Sequence, residues 1–199
     1  MKSILISIKP QWVEKILNGK KTIEIRKTKP NIKLPCKVYI YCSYSKKSMK
    51  DLCCYSLNTG NYKLMNKEEY DKDFAFSVNG SVVAEFTLNK ITTHLYNFID
   101  CEEQESYNFL VEDVKNAGFD TNLEGLLDFD EFIENYGKRK PLYAWHIDNL
   151  KIYDKQKELD EFTTGKVALP CGYGDYNIHN KILKRPPQSW CYVESLEGK

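Results

Sequence analysis

Apolar and polar positions alternate from Ser3 to Lys9: Ile4, Ile6 and Ile8 stand between Ser3, Leu5, Ser7 and Lys9, the two-residue period of a strand with one apolar face. Pro10 ends that strand. Trp12, Val13, Ile16 and Leu17 then recur at helical spacing, and Gly19 sits where a left-handed C-terminal cap belongs, so a helix of about two to three turns is expected. Strict alternation resumes at Lys20–Lys27, with Ile23 and Ile25 on one face of a second strand and Thr22, Glu24 and Arg26 on the other. Lys37–Cys42 is apolar on both sides and reads as a third, central strand.

Periodicity is lost from Ser43 to Val78, apart from short helical fragments near Lys47–Leu52 and Asn66–Asp71. Gly80–Leu88 is β-branched and reads as a strand, with Ile91–Tyr96 continuing it or pairing with it. From Asp100 the pattern is helical: Tyr107, Leu110, Val111 and Val114 share one face, and Leu127, Phe129, Phe132 and Ile133 another. Strand returns at Leu142–Asp148 and Leu150–Tyr153, with Tyr143, Trp145 and Ile147 alternating against Ala144 and His146; these aromatics read as core or as a stacking platform. Residues 163–181 form a second aperiodic stretch, Gln188–Val193 a closing strand, and 195–199 a disordered tail. The expected fold class is α+β: one domain over 1–194, a small mixed, partly open β-barrel with flanking helices and irregular insertions at about 45–78 and 163–181.

Composition narrows the chemistry. The 199 residues are 42% apolar and 29% charged, with a net charge of +1. The distribution is uneven: residues 1–50 hold 13 Lys and Arg against 2 acids, and the remaining 149 hold 16 against 26. Such a chain places a positive field around its N-terminal elements, while the acidic 100–136 segment repels a polyanion. The N-terminal apolar run is too short for a signal peptide, and no stretch is long and apolar enough to span a membrane, which leads to a cytoplasmic expectation. The seven cysteines are then expected reduced and mostly buried. Cys53, Cys54, Cys171 and His179 could converge as a zinc set, but adjacent cysteines are poor joint ligands and no CxxC is present, so no metal or other cofactor is expected. A lone histidine such as His94 is read as structural. The glycines of Gly172-Tyr173-Gly174 do not form a phosphate-cradling loop.

Glu24 and Arg26, two residues apart on one strand face, can hold each other while the guanidinium keeps donors for a phosphate, carboxylate or base edge. A solvated face with a surface ion pair of little energetic weight is the plainer reading of the same pattern.

The run ILNGKKTIEIRK, preceded by SIKPQWVEK, resembles the opening of the ASCH domain family of the PUA-like superfamily, through Gly19, Lys21, Glu24 and Arg26. Arg185–Val193 looks like the closing Pro-Gln-Ser-aromatic strand of longer ASCH proteins, and Tyr143–Ile147 like a late barrel strand. The resemblance implies a PUA-like pseudobarrel whose cleft, between the first helix and the sheet, is lined by Lys21, Glu24 and Arg26, with Thr22 beside them and Lys9 entering from the neighbouring strand end. It implies a module that binds RNA or a modified nucleoside or nucleotide. The alternative it implies is a hydrolase, either a ribonuclease or an amidohydrolase acting on N4-acetylcytidine through Lys21 and the position of Glu24. That family carries Thr where this chain has Glu24, and its distant Glu falls near Glu102, Glu103 or Glu105. A third reading, a protein-interaction adaptor using the acidic helices, requires that Arg26→Ala leave every activity untouched.

Overall fold

In chain order the strands and helices are β1 (Lys2–Ile8), α1 (Pro10–Leu17), β2 (Ile23–Arg26), β3 (Cys36–Cys42), β4 (Leu52–Ser56), β5 (Asn61–Met65), α2 (Lys67–Tyr70), β6 (Ala75–Ser77), β7 (Val82–Leu88), β8 (Ile91–His94), β9 (Leu142–His146), β10 (Asp148–Lys157), β11 (Thr163–Gly172), β12 (Asp175–Ile182) and β13 (Trp190–Glu194). This structure is a computed structural model and describes residues 2–44, 51–94, 142–172 and 175–196. The two acidic helices expected between 100 and 136, and the fragment near Lys47, lie outside the described residues.

The chain divides into two compact units, the first from Met1–Glu14, Cys36–Thr87 and Leu150–Lys199, the second from Lys15–Pro35 and Leu88–Asn149. The first is organised on a five-stranded sheet in the order β10-β7-β3-β1-β13. β1 lies parallel to β3, with Ile4 beside Val38 and Ile6 beside Ile40, and antiparallel to β13, with Leu5 beside Cys191. β1 departs from the one-faced strand expected for it: Ile4, Leu5 and Ile6 are all fully buried, so both of its faces are covered. Leu5, Tyr39, Tyr41, Val82, Phe162 and Val193 form one core cluster, in which Tyr39 and Phe162 meet edge to face at 4.9 Å. The Leu196 amide donates to the Tyr39 hydroxyl at 3.0 Å, so the chain end is tied down as far as that residue.

Both stretches expected to be irregular are built largely of strands. β5, β4 and β6 make a three-stranded antiparallel sheet, and Lys67–Tyr70 supplies the short helix expected there, capped by Asn66 through a reciprocal bond with Glu69. The alternation was hidden because the outer face of this sheet is itself apolar: Leu57, Leu64, Phe74 and Phe76 are exposed. β11 and β12 form a two-stranded ribbon of ten and eight residues.

The second unit carries a three-stranded antiparallel sheet in the order β2-β9-β8. β8 therefore pairs with β9 and not with β7, which lies in the five-stranded sheet. The sequence does not show this because residues 95–141 separate β8 from β9 and nothing local encodes their pairing. The barrel expectation is met in part: the described residues are mostly β, but their sheets are separate and none closes on itself. No helix among those residues is long and apolar enough to cross a membrane.

Candidate functional site

The site begins at the end of α1. Gly19 adopts φ +72°, its amide donates to the Ile16 carbonyl at 2.9 Å, and the Lys20 amide reaches back to the Lys15 carbonyl at 2.8 Å. These are the two bonds of a Schellman cap, and they depend on a left-handed residue that glycine supplies without a Cβ clash. The Lys21 amide shares the Lys15 carbonyl at 3.1 Å, so the cap sets where Lys21 leaves the helix.

β2 follows, and its two faces are both covered. Ile23, Glu24 and Ile25 are buried and Arg26 is half-buried. The solvated-face reading of the alternation is thereby overturned. Lys21 Nζ lies 3.4 Å from Glu24 Oε2, and Arg26 Nη2 lies 3.0 Å from Glu24 Oε1, with side-chain exposures of 3%, 8% and 14% for Lys21, Glu24 and Arg26. One carboxylate thus bridges two cations, each held by a different oxygen. Burial pushes the Lys21 ammonium below its ordinary pKa, the Glu24 carboxylate opposes that shift, and Arg26 and Lys15 add to it. The cluster carries a formal excess of one positive charge in a place where water screens it poorly.

The strand register adds partners that the sequence did not reveal. Glu24 lies opposite Trp145 and Arg26 opposite Tyr143, while Ile91 and Thr93 of β8 lie beyond them. Residues directly opposite in an antiparallel pair share a face. Trp145, Tyr143, Glu24 and Arg26 therefore form one aromatic and charged face. Trp145 is fully buried and belongs to the core, whereas Tyr143 is half-buried and carries the Lys29 ammonium over its ring at 5.5 Å from the centroid. The opposite face holds Ile23, Ile25, Ala144 and His146, whose Nε2 is 3.1 Å from the Thr92 hydroxyl oxygen.

Of the residues singled out from the sequence, Lys21, Glu24 and Arg26 converge. Thr22 is exposed, and its carbonyl accepts the Ile147 amide at 2.9 Å, which ties the start of β2 to the end of β9. Lys9 is exposed in the first unit, where its carbonyl accepts the amides of Trp12 and Val13 at the start of α1. Lys29 and Tyr143 were missed as a pair, since only the β2–β9 register brings them together. The side chain of His94, and the residues Glu102, Glu103 and Glu105, lie outside the described set.

No protein-family model matches the sequence, and no curated protein matches it. Solved structures do. A tyrosine-to-phenylalanine variant of the ASCH protein from Zymomonas mobilis is 14% identical, with a TM-score of 0.51 over 98% of this chain and 92% of that one. The ASCH structure from the same organism without that substitution is 15% identical, with a TM-score of 0.50 over 97% and 88%. A serine-to-alanine variant gives 14% and 0.50 over 97% and 89%. At such identities the likeness speaks for architecture, and it agrees with the resemblance carried by Gly19, Lys21, Glu24 and Arg26: the chain has an ASCH-type fold.

Proposed function

We propose that the chain is an ASCH-type binding module for RNA or a modified nucleotide, with Arg26 as its principal ligand contact. The observation that supports this most is the Lys21–Glu24–Arg26 cluster, a largely buried set of two cations on one carboxylate whose most exposed member is a guanidinium. A planar guanidinium oriented by a carboxylate suits a phosphate or the acceptor edge of a base. Tyr143, opposite Arg26, offers a ring of the kind on which unstacked bases lie. The charge of an anionic ligand favours the protonated form of Lys21, against the burial that lowers its pKa.

The test is titration of cytidine 5′-monophosphate and of a short single-stranded RNA into the chain and into Arg26→Ala. Loss of a charge-assisted contact costs about 1.5–3 kcal/mol, roughly 10- to 150-fold in Kd. Equal binding by the variant would overturn the assignment of Arg26. One observation favours hydrolysis as a second reading: burial moves Lys21 toward the free amine, the form that acts as base or nucleophile. The carboxylate at Glu24 stands where the amidohydrolase pattern has a hydroxyl, which weighs against acyl transfer through that position. Release of acetate from N4-acetylcytidine, abolished by Lys21→Ala, would establish the hydrolase and displace the binding-only reading.

A further inference from the structure

The β11–β12 ribbon is anchored at its root and bare along its length. At the root, Phe162 is fully buried, its carbonyl accepts the Leu183 amide at 2.8 Å, and the Thr163 hydroxyl donates to Glu194 at 3.3 Å. Beyond it, register places Lys166 beside Asn180, Val167 beside His179, Ala168 beside Ile178 and Leu169 beside Asn177, and both faces of the ribbon are open: Lys166, Ala168, Ile178 and Asn180 on one, Leu169, Asn177 and His179 on the other are all exposed, Ile178 by 70%. An isolated two-stranded hairpin gains little stability by itself in water. This one is held at its base, and beyond it the described side chains from Lys166 to Pro170 and from Asn177 to Asn180 are exposed apart from the half-buried Val167.

Its charge identifies what fits. Lys166 and Lys181 lie on the ribbon, Lys166 on the first of these faces and Lys181, two residues on from His179, on the second, and Lys184 and Arg185 follow it directly; all four are exposed, with no ion-pair or hydrogen-bond partner for their side chains among the described residues. The same holds for the side chains of Asn177, His179 and Asn180. Between 163 and 189 the sequence holds a single acid, Asp175 at the tip, with Glu194 near the root engaged by Thr163. Cations interleaved with amides match the positive composition of nucleic-acid interfaces, and the exposed Leu169, Ile178 and Ile182 add apolar surface among them. The cations do not match the charge-depleted centre of a protein–protein interface.

We propose that the β11–β12 ribbon is a second contact for single-stranded RNA, gripping its phosphodiester backbone through Lys166, Lys181, Lys184 and Arg185. The choice of RNA rests on the functional reading above; the ribbon's affinity for a polyanion does not depend on the Arg26 site. The proposal makes the natural ligand a polynucleotide and not a free nucleoside. Four phosphate contacts on a single strand contribute a slope of about −2.8 to log affinity against log salt, about 50-fold between ~50 and ~200 mM; two contacts contribute about −1.4, or about 7-fold.

The experiment measures fluorescence anisotropy of a labelled single-stranded RNA of about 12 nucleotides, long enough for one binding site, across that salt range. It compares the unsubstituted chain, Lys166→Ala/Lys181→Ala and Lys166→Arg/Lys181→Arg, with cytidine 5′-monophosphate titrated in parallel. The expected result is a slope shallower by about 1.4 in the alanine variant, retained in the arginine variant, with mononucleotide affinity unchanged in both. An unchanged slope in the alanine variant overturns the ribbon contact while leaving the nucleotide reading intact. Ribbon-dependent RNA binding without mononucleotide binding sustains the ribbon and removes the Arg26 reading. Absence of RNA binding altogether, including the case in which the ribbon serves an acidic protein, overturns the proposal.

Discussion

Replacing Glu24 by Gln keeps the shape of the side chain and removes the anion on which two buried cations rest. Lys21 is 3% exposed and Arg26 14%, so neither can recover its lost partner by turning into water. Breaking a buried ion pair from one side costs about 3–5 kcal/mol, and the Gln oxygen still accepts one bond, which puts the expected loss near the lower end, about 3 kcal/mol. For a chain of this length that corresponds to a melting temperature lower by about 6–12 °C. The pH dependence has a definite sign. Lys21 holds its proton less tightly folded than unfolded, chiefly because of burial, so between its lowered folded pKa and the ordinary 10.5 the unfolded chain binds more protons and stability rises with pH. Removing Glu24 takes away the main interaction opposing that shift and extends the window to lower pH. The deficit of Glu24→Gln is therefore largest where the folded Lys21 amine is protonated in both proteins, and shrinks as pH rises toward 10.5 and neutralises it in both. Urea unfolding of both proteins across this range reads it directly, and adding Lys21→Met to Glu24→Gln should restore part of the loss. A loss below about 1 kcal/mol that does not change with pH is what a solvent-screened pair gives, and it would refute the reasoning.

Other outcomes follow from single contacts. A Cβ at Gly19 meets nothing within 4 Å, so Gly19→Ala costs only the left-handed backbone, about 1–2 kcal/mol in urea unfolding. Trp145 is fully buried, and Trp145→Ala should cost about 3–5 kcal/mol in the same assay. The Tyr153 hydroxyl donates to Glu85 at 2.6 Å while Lys37 holds the other carboxylate oxygen at 3.0 Å; Tyr153→Phe should cost about 1.5 kcal/mol, with Lys37 limiting the loss.

The N-terminal elements were legible because local rules act there without competition. A proline at the helix start, apolar residues at helical spacing and a glycine at the cap gave α1 and its Schellman turn, and the doubly apolar Lys37–Cys42 run marked the central β3. Alternation fails as a signal where the two faces of a strand do not differ in polarity. The β11–β12 ribbon is open on both faces, and the outer face of β5-β4-β6 displays Phe74 and Phe76, so neither shows the contrast that reveals a strand. The same limit applies to the site. Glu24 and Arg26 stand out through their spacing together with the resemblance to the ASCH opening, but their burial and their alignment with Trp145 and Tyr143 come from a register that pairs residues far apart in sequence. Buried charge is a property of that pairing, and composition carries no trace of it.

A crystal structure of the chain with cytidine 5′-monophosphate tests the central claim most directly. The account predicts the phosphate or a base edge within hydrogen-bonding distance of Arg26, the base against the Tyr143 ring in place of the Lys29 ammonium, and Glu24 still bridging Lys21 and Arg26. A nucleotide bound elsewhere, with Arg26 untouched and Lys29 still over Tyr143, would contradict it.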